Sequence, residues 1–97
     1  MLPPSYHRSY WKEALHYYRW YQARSPGLGD EFLDEVGRTL GLIEANPHQF
    51  TPVTATIRQG QVRRFPFSIY YRIAVDHIRI LSVIHNSRGK TSWKHRR

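Results

Sequence analysis

Ninety-seven residues carrying a net charge of +8 and no cysteine exclude several classes at once. A chain of this length makes one domain that buries roughly two-thirds of its unfolded surface, and with no thiol it has neither a disulfide framework nor a thiolate metal site, which fits a reducing cytoplasm. The opening "MLPPSYHRSY" lacks an apolar export core and no run of about eighteen apolar residues exists to span a membrane, while an aromatic content of 14% argues against disorder.

Pro3 and Pro4 weaken a short strand near Ser5 to His7. From Ser9 to Arg24 the apolar residues fall in two adjacent stripes, Tyr10, Ala14, Tyr17, Tyr21 and Trp11, Leu15, Tyr18. Spacings of three and four predict an amphipathic helix with a wide aromatic face. "SPGLG" (25–29) is a helix breaker, and Asp30 and Glu31 then put negative charge into the first turn of a second helix. Its expected buried stripe is Phe32, Leu33, Val36, Leu40 and Ile43, and "ANPHQF" ends it at Asn46 and Pro47.

After Pro52 the period changes to two. "VTATIR", Gln59-Gly60 and "QVRRF" predict a hairpin, Pro66 breaks the run, and "SIYYRIAV" and "IRILSVIH" predict another around Asp76-His77. With Val75 opposite Ile78, one face carries Ile69, Tyr71, Ile73 and Val75 beside Ile78, Ile80, Ser82 and Ile84, and the helices should cover it. The other carries Ser68, Tyr70, Arg72 and Ala74 beside Arg79, Leu81, Val83 and His85, the expected working face. The fold class is therefore α+β: a two-helix hairpin packed on a small antiparallel sheet, one domain over 1–97 with a basic tail at 86–97, anchored through Trp93.

Charge is divided unevenly along this order. Residues 1–57 hold five Arg and Lys against six Asp and Glu, net −1; residues 58–97 hold ten against Asp76 alone, net +9. A field of that kind attracts phosphate backbones or an acidic protein partner. The histidines show no metal-ligand spacing, so neither a metal nor another cofactor is expected. The helical spacing of the first helix's tyrosines favours core packing and partner contact over base stacking.

"YQARSPGLGDEFLDEV", "IEANPHQF", "RRFPFSIYYRI" and "ILSVIHNSR...W" resemble, in order and spacing, bacterial toxins of the RelE/ParE superfamily from type II toxin-antitoxin modules. The resemblance implies a growth-inhibiting toxin neutralised by a cognate antitoxin, with one of two activities. RelE-like members cleave mRNA on the ribosome without a metal, and the groups available for that here are Arg64, Arg72, His85 and Arg88. ParE-like members inhibit DNA gyrase without bond breaking, and the target- or antitoxin-binding set would be Arg63, Arg72, Arg79, Arg88 and Trp93. Two departures favour the ParE-like branch. The chain continues past its last strand as "HNSRGKTSWKHRR" without the terminal Tyr of many nucleases, and Ser68 stands where several of them carry arginine. Strand spacing also separates His85 from Arg72 by about 13 Å, too far to share one phosphate oxygen.

Overall fold

The structure, a computed structural model, describes residues 3–88 and 96. In chain order it comprises β1 (Pro4–Tyr6), α1 (Arg8–Arg24), α2 (Leu28–Ala45), a 3-10 turn (Pro47–Gln49), β2 (Thr51–Pro52), β3 (Ile57–Gln61), β4 (Phe67–Ile73) and β5 (Ile78–His85). The strands form one sheet in the order β1-β5-β4-β3-β2. β2 to β5 are antiparallel, and β1 adds parallel to β5 over Ile78 to Ile80 only. The sheet is thus mixed at one edge, and among the described residues the far half of β5 has no strand beyond it.

Both helices lie on one face of this sheet, and their ends follow from local chemistry. His7 caps α1 by accepting the Ser9 N–H on Nδ1 at 3.1 Å. Gly27 adopts φ 91°, a left-handed conformation glycine takes at no steric cost, and opens α2. The Gln22 side-chain oxygen then accepts both Gly27 N–H (2.9 Å) and Gly29 N–H (2.8 Å), which stitches the end of α1 to the start of α2. A Cβ on Gly29 would lie 2.5 Å from the Tyr18 carbonyl oxygen and 2.6 Å from Gln22 Cγ. The hairpin closes this tightly only with glycine there.

The core is a nest of rings. Phe32 is fully buried and stacks with Tyr17, Tyr21, Phe65 and Phe67 at centroid separations of 5.0 to 6.5 Å, three of the four contacts edge-to-face. Tyr10, Ala14, Val36, Ile43, Ile69, Tyr71, Ile78, Ile80 and Val83 complete it. Of the two stripes on α1 only the first is covered, for Trp11 is 59% exposed and Leu15 46%. On α2, Leu33 is 38% exposed, and Thr39 takes a buried place instead by donating its hydroxyl back to the Glu35 carbonyl.

Three expectations about the sheet require correction. Gln59-Gly60 is not a turn: β3 runs straight through it, and Gly60 pairs with Ile69. Its missing Cβ instead lets Ile43, Phe50 and Thr39 approach to within 3.3 to 3.5 Å, so this glycine serves helix-to-sheet contact. The β4–β5 turn is also wider than two residues. Ala74 N–H bonds the His77 carbonyl, Ile73 faces Ile78, and Val75 stands 99% exposed at the tip. That shift of two residues preserves the faces. A bulge between Tyr70 and Tyr71 does not: Tyr71 pairs with Ile80 but Tyr70 with Ser82, leaving Leu81 as the extra residue. Beyond it Val83 and His85 turn to the helix side, whereas Ser82 and Ile84, expected there, join Ser68 and Tyr70 on the other.

Candidate functional site

The bulge divides the expected working surface into two sites. The first is a cleft of about 250 Å³ at the far end of β5, walled by His16, Tyr17, Trp20 and Tyr21 of α1 and by Phe67, His85, Ser87 and Arg88. Its aromatic walls are fixed by the core, since Tyr17 stacks on Phe67 at 4.5 Å and the His85 ring meets Phe67 edge-on at 5.2 Å. The residues after β5 are held by a polar relay. Ser68 donates to Asn86 Oδ1 (2.7 Å), Asn86 donates to Gln61 Oε1 (3.1 Å), and Gln61 Nε2 reaches the Phe67 carbonyl (2.9 Å). Ser68, buried at the start of β4, therefore sets the turn that carries Ser87 and Arg88.

His85 has a defined chemical form in this cleft. The Ser87 backbone N–H points at Nδ1 (3.1 Å), and the Ser87 hydroxyl lies 2.8 Å from the same nitrogen. A nitrogen that accepts an N–H carries no proton, so the ring proton of the neutral imidazole sits on Nε2. His85 thus offers a donor to a ligand. Accepting a proton at Nε2 would require the other tautomer, in which Nδ1 gives up the Ser87 N–H and donates to the Ser87 hydroxyl instead.

The second site lies on the sheet face turned away from the helices. Arg72 and Arg79 are register partners on it, above a small buried cluster of Ile57, Tyr70 and Leu81. Arg96 crosses here: its carbonyl accepts Arg72 Nη2 (3.2 Å), and its guanidinium binds Glu13 (2.9 and 3.1 Å) and the Leu81 carbonyl (3.2 Å). The nearby Val83 N–H also favours the Glu13 carboxylate. These contacts satisfy the edge of β5 where β1 has ended, groups that would otherwise invite another strand. Glu13, the single acidic residue of α1, flanks the buried stripe, a signal in the sequence that went unused.

Burial raises the Glu13 carboxyl above its ordinary value, outweighing the pull of Arg96 and the Val83 N–H. A carboxyl whose folded pKa exceeds its unfolded one contributes stability below the unfolded value, and that contribution is lost as pH rises through the folded one. Wild type should therefore lose stability relative to Glu13→Gln as pH climbs from the ordinary carboxylate range to just above it. Urea midpoints of both proteins across that interval check this; parallel profiles would contradict it.

The remaining sequence-derived residues lie elsewhere. Arg64 has a left-handed φ of 69° in the β3–β4 loop, and its guanidinium binds Glu31 (2.8 Å) and approaches Glu35 (3.9 Å) on α2. Arg63 is exposed in the same loop, where no strand alternation sets the direction of either arginine. Trp93 lies outside the described residues. The structure brings His85 and Arg88 together, with Arg72 five residues along β4 from the strand position opposite His85, about 16 Å, and on the other face. Sequence reasoning missed His16, Trp20, Tyr21 and Ser87 as cleft walls, because only the packing of α1 across the end of β5 assembles them.

Among the described residues no three His, Asp or Glu side chains could hold a metal ion, and no helix is long and apolar enough to cross a membrane. A sequence model of the ParE toxin of the type II toxin-antitoxin system parDE matches residues 5–89. Among solved structures, a chain of the chromosomal ParDE TA system from P. aeruginosa superposes with a TM-score of 0.77 and 17% identity, over 88% of this chain and 96% of that one. At that identity the likeness speaks for the fold, the same helical hairpin on a small sheet. No curated protein matches the chain significantly.

Proposed function

We propose, since this chain belongs to the ParE toxin family of type II toxin-antitoxin systems, that it arrests growth by a protein-protein blockade of DNA gyrase in the cytoplasm and is neutralised by a cognate acidic antitoxin. The observation that carries the blockade over cleavage is the dispersal of the cationic and acid-base groups. Arg64 is engaged by Glu31 and Glu35, Arg72 lies on the opposite sheet face from His85, and Nδ1 of His85 is taken by Ser87. Cleavage through a 2′-hydroxyl needs a base, an acid and cations around one phosphate. Antitoxin binding is favoured by the charge: ten cationic residues against Asp76 in 58–97 destabilise the free chain by self-repulsion, which an acidic segment relieves.

Ribosome-dependent mRNA cleavage is the competing reading, and the observation in its favour is that His85 and Arg88 share the aromatic cleft. Induction without the antitoxin separates the two. Plasmid supercoiling is expected to change and a DNA-damage response to rise while translated mRNA stays intact. Rapid cleavage of translated mRNA with unaltered supercoiling would overturn the blockade.

A further inference from the structure

We infer that the cleft between α1 and the end of β5 binds one aromatic side chain flanked by a carboxylate, presented by an acidic segment of a protein partner. This rests on the protein-protein reading above and gives it a point of contact. Size sets the first limit. At about 250 Å³ the cleft falls below the roughly 300–1,000 Å³ of sites that take a whole small molecule, so what it can enclose is a single side chain.

The walls select an aromatic occupant. Ring contacts around the cleft, His16 on Tyr17, Tyr17 and Tyr21 on Phe67, Trp20 on Tyr21 and Phe67 on His85, meet at interplanar angles of 63° to 87°. Rings set this steeply present faces and edges side by side, and one more ring joins them by the same edge-to-face contacts. A nucleobase instead gains most from lying flat on a ring face, and none of these contacts is a parallel stack. Trp20, 45% exposed, is the open wall, and the Arg24 guanidinium lies over its ring at 3.9 Å. That contact holds the indole and adds a cation beside the cleft.

Charge selects the flanking group. Arg88 is exposed, and His85 offers its Nε2 proton because the Ser87 N–H occupies Nδ1. Among the described residues neither is paired with a carboxylate. The chain has little to give them: residues 77–97 contain no Asp or Glu, and Glu13, the one acid of α1, is held by Arg96. A carboxylate from outside accepts a hydrogen bond from each donor, and the one from Arg88 is charged on both sides.

The test titrates the full chain into a fluorescein-labelled seven-residue peptide with Glu-Phe-Glu at its centre, read by anisotropy at fixed ionic strength, beside a labelled oligoadenylate of equal charge. Saturable peptide binding is expected below about 1 mM. Exchanging the peptide's phenylalanine for alanine should weaken it by about tenfold, and so should Trp20→Ala on the protein. Arg88→Gln should also cost about tenfold, and His85→Phe, which keeps a ring and loses the donor, about fivefold. Trp20 and Arg88 are exposed, so the fold tolerates these changes. Arg8→Gln makes the same charge change about 18 Å along α1 from Trp20 and should alter binding less than about twofold. Absence of peptide binding, equal losses from Arg8→Gln and Arg88→Gln, no loss on exchanging the phenylalanine, or tighter Trp20- and Arg88-dependent binding of the oligonucleotide would each overturn the site. Supercoiling separates this from the gyrase reading. A protein that binds the peptide through Arg88 and leaves supercoiling unchanged keeps the site and loses the blockade, and one that alters supercoiling without binding the peptide does the reverse.

Discussion

Truncating Phe32 to alanine is expected to cost about 4 kcal/mol, the upper range for emptying a large side chain from a core. The ring has no exposure to solvent and touches four other rings drawn from α1, the β3–β4 loop and β4. Those neighbours are rigid aromatic plates anchored on different elements, so the site cannot collapse to fill the void. A domain of about 100 residues has roughly 5–15 kcal/mol in total. The substitution should therefore remove a large share of it and lower Tm by roughly 20 °C. Urea denaturation checks this directly: the midpoint should fall with the slope unchanged. A loss below about 1 kcal/mol would mean that Phe32 is not the centre of the core.

Replacing Gly29 by alanine is expected to cost about 3 kcal/mol through overpacking, at the upper end of the usual range. The new methyl would sit 2.5 Å from the Tyr18 carbonyl oxygen, 2.6 Å from Gln22 Cγ and 2.9 Å from Tyr18 Cδ1. Gln22 can rotate away, but it then gives up its bonds to the Gly27 and Gly29 N–H groups. The Tyr18 carbonyl is helix backbone and moves only with α1. Relief therefore means parting the two helices where they join. Gly41→Ala supplies the control within the same helix, because its Cβ would meet nothing within 4 Å. That change should stabilise by up to about 1 kcal/mol. Thermal unfolding of the pair should thus move in opposite directions, and a shared direction would contradict the tight contact at Gly29.

Much of the fold was legible because its signals are local. Apolar spacing places α1 within a residue of its observed start, and the Pro-Gly pair and the Asn-Pro pair mark both ends of α2. Faces of the sheet were legible only as far as strict alternation holds. Ile69, Tyr71, Ile73, Ile78 and Ile80 obey it, and Val83 and His85 do not. Nothing in "IRILSVIH" announces the extra residue, since no glycine or proline stands at the bulge. The candidate site was legible in residue types and not in grouping. Arginines and a histidine near the end of a basic chain were evident, but Arg64 is drawn to α2 by carboxylates 29 and 33 residues away in sequence.

The sequence by itself determined an α+β fold class, two helices before a meander, a cationic second half and a family resemblance carried by spaced motifs. These depend on composition and short-range periodicity, which need no knowledge of distant partners. Tertiary structure alone decided the rest. It added β1 to β5 in parallel, turned His85 toward the helices, and laid Arg96 against Glu13 and Arg72. The physical reason differs: a bulge turns His85, and an open strand edge draws in Arg96. Where β1 ends, the Leu81 carbonyl at the edge of β5 must find a partner, and it finds one in Arg96, itself held by Glu13 of α1. No periodicity within a strand encodes a partner that lies 15 residues away.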